Sequence, residues 1–179
     1  MKRRSLLTTG IALVAAPLTA RAQPALDPEN TLYLDLKPGR VVIQLLPDVA
    51  PKTVAQIKAL TRQGFYDGTP FHRVIEGFMA QGGDPTGTGG GGSKLPNVPL
   101  EASGRHFLRG TCGMARTPDP NSGNSQFFIM FAPGSSLDGQ YTIWGQVVKG
   151  MEFVDQIKRG EPALPPDRIV RMQVAADVK

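Results

Sequence analysis

The side chains best suited to chemistry in this 179-residue chain gather in FHRVIEGFMAQGGD, Phe71 to Asp84. Arg73 and Gln81 are interleaved there with Phe71, Phe78 and Met79, and His72 stands beside the arginine. A guanidinium offers several fixed donors, an amide both donates and accepts, and the apolar neighbours would supply a dry wall. Metal chemistry is not indicated. His72, His106 and Cys112 lack the paired spacing of a zinc site. Neither the G-x-S-x-G elbow of a serine hydrolase nor a pair of acids placed for hydrolysis is present. Asp48, Asp67, Asp84 and Asp138 each adjoin turn-forming residues and read as turn formers. The run Gly87 to Gly92 matches G-x-G-x-x-G, but Asp84-Pro85 precedes it and SKLPNVP follows. Without a strand before and a helix after, it reads as a surface loop rather than a dinucleotide site.

The elements expected to position these residues are mostly strands. TLYLDL and RVVIQLL, Thr31 to Leu36 and Arg40 to Leu46, alternate around Lys37-Pro38-Gly39 as a β-hairpin does. Val54, Ile57 and Leu60 recur at helical spacing between Pro51 and Gly64, predicting an amphipathic helix. Further strands are expected at Phe71 to Ile75, Phe78 to Gln81, Gly110 to Ala115, Gln126 to Met130, Tyr141 to Val148 and Ile169 to Ala175, with a short helix at Met151 to Lys158. The pattern predicts a mainly β fold: a closed eight-stranded antiparallel β-barrel capped by two α-helices. Bulky strand residues such as Val41, Ile43, Phe127, Ile129 and Val147 argue for a filled barrel rather than a ligand carrier. The Gly-rich stretch from Pro85 to Leu108 lacks periodicity and is expected to be a loop bordering the site.

The N-terminus carries KRR at Lys2 to Arg4, an uncharged run to Ala20, and Ala20-Arg21-Ala22. This predicts a signal peptide over residues 1–22, with a twin-arginine signal as one form, and a periplasmic or otherwise exported product. Residues 23–30 read as a short tether and 31–179 as one domain. Cleavage leaves 157 residues and lowers the formal charge from +5 to +1. The basic balance therefore belongs to the leader and points to no nucleic-acid partner, and no membrane contact is expected after cleavage. Cys112 is the sole cysteine, set in an apolar run, and is expected to be a buried residue rather than a reactive thiol.

FHRVIEGFMAQGGD, GMARTPDPNSGNSQFFIM (Gly113 to Met130) and LDGQYTIWGQVVKGM (Leu137 to Met151), in that order, resemble the cyclophilin family of peptidyl-prolyl cis/trans isomerases. The resemblance spans nearly the whole mature chain, includes the PKTV helix start at Pro51 to Val54, and is greatest to small exported bacterial members. It implies a monomeric enzyme with proline-containing polypeptide clients and no cofactor. It also implies a groove on the outer face of the barrel, with Arg73 as the catalytic residue. Phe78, Met79, Gln81, Ala115, Arg116, Gln126, Phe128, Leu137 and Tyr141 are the implied substrate-binding residues. Three positions depart from the best-known eukaryotic members: Arg116 replaces asparagine, Ser136 replaces tryptophan and Tyr141 replaces histidine. Loss of the indole area and N–H donor implies weak binding of cyclosporin.

An Xaa-Pro amide rotates over a barrier of roughly 18–20 kcal/mol imposed by resonance. In the twisted state the prolyl nitrogen regains a lone pair that a guanidinium can meet, so Arg73 suits the reaction and no proton need move. His72 is accordingly expected to be a hydrogen-bonded structural residue, and Trp144 a core residue. A proline-peptide binding module with the same groove and negligible turnover is the alternative; such a module could dispense with Arg73.

Overall fold

The computed structural model describes residues 25–178, so the expected signal peptide over 1–22 lies outside the described residues. Strands β1 (Thr31–Leu36) and β2 (Gly39–Leu45) pair through a two-residue turn at Lys37-Pro38, with Leu36 opposite Gly39. Alternate residues Leu32, Leu34, Val41, Ile43 and Leu45 point into the core, where each is almost wholly buried. Helix α1 (Pro51–Arg62) packs Val54, Ile57 and Leu60 onto the sheet. It begins with Pro51 in its first turn, and Gly64 at φ 68° follows its end, as the sequence predicts. The carboxylate of Glu101 accepts from Lys52 N and Thr53 N at 2.9 and 2.8 Å, capping the free amides of α1 from the distant loop.

The remaining strands are β3 (Arg73–Ile75), β4 (Met79–Gly82), β5 (Thr111–Met114), β6 (Phe127–Met130), β7 (Ile143–Lys149) and β8 (Arg171–Val174). They form one antiparallel sheet in the order β3-β4-β6-β5-β7-β2-β1-β8. The sheet is curled, but the expected closed barrel is not formed: β3 and β8 are the two ends of the ladder. Pro70, which has no N–H, faces Arg168 in an isolated bridge, and the short β3 is flanked by Gly160, bonded to Val74, rather than by β8. Helix α2 is also shorter than expected, Met151–Val154. Arg159 Nη1 takes the carbonyls of Asp155 and Ile157 just beyond it. Within the segment expected as a tether, Pro28–Asn30 forms a 3-10 turn whose Glu29 accepts from Lys58 and Arg62 at 2.8 Å each.

Both faces of the sheet are covered around β4 and β6. Ala80, Phe127 and Ile129 join the interior core, where Phe127 meets Tyr66, Phe71 and Trp144 edge-on. Trp144 is fully buried, and so is Cys112, whose thiol burial holds well above its ordinary pKa. Met79, Phe128 and Met130 take the opposite face and form a second cluster with Phe107 and Ile143. Register then aligns Arg73, Gln81, Phe128 and Gly113 in one row across β3, β4, β6 and β5. Gly113 makes room for that row, since a Cβ there would stand 2.3 Å from Phe128 Cζ and 2.8 Å from the Phe107 ring.

The loop from Gly83 to Gly110 contains no helix or strand, as expected, yet its start is anchored. Asp84 is wholly buried, and its carboxylate accepts from Thr86 N and Oγ1, Gly89 N and Gly91 N at 2.7 to 3.1 Å. Gly91 fits only because it lacks a side chain; a Cβ would lie 2.1 Å from Asp84 Oδ1. Burial pushes the Asp84 pKa up, but the donors of Thr86, Gly91 and Gly89 outweigh it and hold the group at about 2.

Two stability measurements follow. Gly113→Ala should overpack the outer row and cost about 1–3 kcal/mol in urea denaturation. Asp84→Asn replaces an acceptor for four donors by an amide and should cost about 1–3 kcal/mol at pH 7. Because the native pKa of Asp84 lies below the unfolded one, its contribution is complete above about pH 4. The gap between parent and variant should therefore close only as pH falls toward 2.

Candidate active site

The outer row opens into a groove of about 270 Å³ lined by Arg73, Phe78, Met79, Gln81, Ala115, Arg116, Phe128, Leu137 and Tyr141. Every residue the sequence assigns to the groove except Gln126 is thus on its wall. The floor is apolar and nearly dry: Met79 is 2% exposed and Phe128 5%. Phe107, which the sequence reading did not assign, stacks under Phe128 at 5.6 Å, and Tyr141 meets the same ring edge-on at 5.8 Å. Phe107 lies in the aperiodic loop, so only the folded contact identifies it. Leu137 enters from a 3-10 turn, Ser135–Leu137, whose carbonyl end holds Gln140 N and Tyr141 N. Asp138 fixes this turn to the long loop by accepting from Phe107 N at 2.8 Å and pairing with His106 Nδ1 at 2.7 Å. These contacts, His106 foremost, lower the Asp138 pKa.

Gln126 lines an adjoining depression of about 360 Å³ that shares Gln81, Ala115 and Arg116 with the groove, and it sets the direction of the polar edge. Its Nε2 donates to the carbonyls of Gly89 and Gly91 at 2.9 and 2.8 Å, in the loop that Asp84 anchors. Carbonyls only accept, so Gln126 must turn its oxygen to Gln81 Nε2, at 2.9 Å. Gln81 must then turn its own oxygen to Arg73 Nη1, 3.5 Å away. The Arg73 guanidinium is held at its other side by a residue the sequence reading passed over, because it is remote in the chain: Glu161 Oε1 accepts from Arg73 Nε at 2.6 Å. Both partners are about half exposed, so the pair orients the guanidinium more than it stabilises the fold.

Arg116 is committed differently from Arg73. Its Nε and Nη2 donate to Gln140 O, its Nη1 to Thr117 O, and its guanidinium covers the Tyr141 ring at 4.4 Å. It is a wall that fixes Tyr141. Backbone groups supply another edge, where Ala115 N already bonds to Gln126 O. His72 is buried, 6% exposed, and no side chain bonds its ring nitrogens. Burial lowers its pKa. Its hydrogen-bonding neighbour among the described residues is the Pro70 backbone, which tends to raise the pKa without reaching full hydrogen-bond geometry.

Residues 31–174 match the family described as cyclophilin type peptidyl-prolyl cis-trans isomerase. A probable peptidyl-prolyl cis-trans isomerase of Brucella suis is 52% identical over 171 residues, covering 87% of each chain. An Arabidopsis thaliana peptidyl-prolyl cis-trans isomerase is 42% identical over 142 residues, covering 77% of this chain and 86% of the relative. Among solved structures, a cyclophilin from Hirschia baltica superposes with a TM-score of 0.80 at 31% identity, covering 86% of this chain and 77% of that one. A Cryptosporidium parvum cyclophilin type isomerase, solved in the presence of the dipeptide Ala-Pro, gives 0.74 at 28% identity over 80% of this chain and 98% of that one. With its family match, its fold and the row from Arg73 to Gly113 in agreement, the chain belongs to the cyclophilin-type peptidyl-prolyl cis-trans isomerases.

Proposed function

We propose that the protein accelerates rotation about Xaa-Pro bonds of polypeptides bound in this groove, with Arg73 as the catalytic residue. The observation that carries the reading is the guanidinium, oriented by Gln81 and Glu161, at the edge of an apolar trough floored by Met79 and Phe128. The Ala-Pro dipeptide present with the Cryptosporidium parvum relative supports a proline ligand. The proline ring packs against Phe78, Met79 and Phe128 while the preceding residue turns. Planar amide nitrogen offers no lone pair, and the twisted one does, so a donor aimed at that nitrogen or its carbonyl neighbour favours the transition state over both ground states. Dry walls strengthen that contact. Each 1.4 kcal/mol of such preference gives about tenfold in rate.

The same reading makes the protein a monomer that assists the folding of exported chains, with the leader removed near Ala22. Its support is the basic, apolar and A-x-A succession in the sequence. No helix among the described residues is long and apolar enough to cross a membrane. Cyclosporin binds weakly, since exposed Ser136 supplies neither the area nor the donor of an indole.

Cis-to-trans relaxation of an Xaa-Pro peptide should be faster with the mature protein, and Arg73→Ala should lower kcat/KM by about a hundredfold, the scale of one lost electrostatic donor. Arg73→Lys should recover only part, because an ammonium cannot keep Glu161, Gln81 and substrate in one plane. The parent profile should be flat from about pH 6 to 9, since no proton is transferred and a guanidinium stays charged. Fractionation of the expressed precursor with N-terminal sequencing should find a product starting near Gln23 in the exported fraction; an intact chain in the cytoplasm would contradict export.

A further inference from the structure

The groove has a neighbour on the far side of Arg73 and Gln81. A depression of about 460 Å³ is lined by His72, Arg73, Gln81, Thr88, Glu161 and Pro162, with Gly87 and Gly89 beneath. Because Arg73 and Gln81 belong to both cavities, a polypeptide seated by its Xaa-Pro pair and continuing past Arg73 enters the second one. Rotation about the prolyl bond makes no use of it.

Its lining is built rather than incidental. Val74 N bonds to Gly160 O at 2.9 Å and Gly160 N to Val74 O at 2.8 Å, laying the segment before Glu161 along the free edge of β3. Gly160 at φ 151° permits the turn into Pro162, and Ala163, 1% exposed, pins the other end in the core. Glu161 is therefore held beside Arg73, with Oε1 on Nε and Oε2 unbonded among the described residues. His72 forms the buried wall with no side-chain partner on either ring nitrogen, its Nε2 3.7 Å from where a Cβ on Gly89 would stand. With at most the Pro70 carbonyl beside it, the neutral ring keeps one nitrogen as an acceptor for a ligand group. Behind it lies the Asp84 carboxylate, which is neutralised by no cation among the described residues. Glu161 on the lining and the buried Asp84 behind His72 set two formal negative charges against the one guanidinium of Arg73.

We propose that this depression is a subsite for a lysine or arginine side chain of the substrate polypeptide, close in sequence to the Xaa-Pro pair, received by Glu161 Oε2 with His72 and the Thr88 hydroxyl as further acceptors. The inference rests on the isomerase reading of the groove. An acidic side chain at the same place is disfavoured twice, by the negative field and by competition with Glu161 for Arg73. Glu161 is thereby both a positioning residue for Arg73 and the determinant of charge preference.

The test uses the mature protein and Xaa-Pro peptides of one length carrying alanine, lysine or glutamate at each of two positions before and after the pair. At one position at least, lysine should exceed glutamate in kcat/KM by about three- to fivefold, the range for a half-exposed ion pair, with alanine between. Raised salt should shrink the ratio. Glu161→Gln, which keeps an oxygen for Arg73 Nε, should bring it near one, and Glu161→Lys should invert it. Ratios taken within each variant cancel any change in basal rate. Equal rates for lysine and glutamate at all four positions, or an unchanged ratio in Glu161→Gln, would overturn the subsite while leaving the isomerase reading intact. Failure to accelerate even the alanine peptides would overturn the isomerase reading and the subsite with it.

Discussion

Successive residues of a strand point to opposite faces, and in β4 and β6 both faces have work to do. Ala80, Phe127 and Ile129 fill the interior, while Met79, Gln81, Phe128 and Met130 build the outer surface. A slip of one residue in β6 would put Phe128 in the core and Phe127 in the groove, and a slip in β4 would exchange Ala80 with Met79 or Gln81. Register is therefore the constraint on which the site depends. It is enforced from inside by the Phe127 contacts with Tyr66, Phe71 and Trp144, and from outside by the space that Gly113 leaves for the Phe128 ring.

Once register is fixed, the polar edge follows almost by elimination. The glycine loop, gathered by Asp84, presents two carbonyls to Gln126, and each amide along the line can then face only one way until Gln81 offers an oxygen to Arg73. Such chains polarise one another, and a fully satisfied one is stiff. Glu161 closes the arrangement from the opposite side. A guanidinium is suited to this place because its fixed fork can donate to two orienting partners and still present donors to a third. His72, which stands next to it in sequence, lines the neighbouring depression and lacks a proton-transfer step to serve.

Local pattern made much of this legible. The hairpin at Lys37-Pro38, helix α1 and the positions of the remaining strands follow from alternation, helical spacing and punctuation by proline and glycine. The groove residues were readable because the family motifs are long and contiguous. What escaped was non-local. FFIM is apolar throughout, so periodicity alone could not say which residues face the core. The ladder stays open because of what lies beside β3, a segment more than eighty residues later. Glu161 and Phe107 reach the site from that segment and from the aperiodic loop, and nothing in their immediate sequence marks them. A buried histidine is expected to be hydrogen-bonded, and His72 has no side-chain partner among the described residues, only the Pro70 backbone beside it.

The central claim is that an oriented Arg73 meets the prolyl amide at the mouth of an apolar groove. A crystal structure of the mature protein with a bound Xaa-Pro peptide tests it most directly. The proline ring should lie on Met79 and Phe128, with an Arg73 Nη about 3 Å from the prolyl nitrogen or the carbonyl beside it. The Glu161 and Gln81 contacts should be retained. A ring seated elsewhere, or a guanidinium turned away from the peptide, would contradict it.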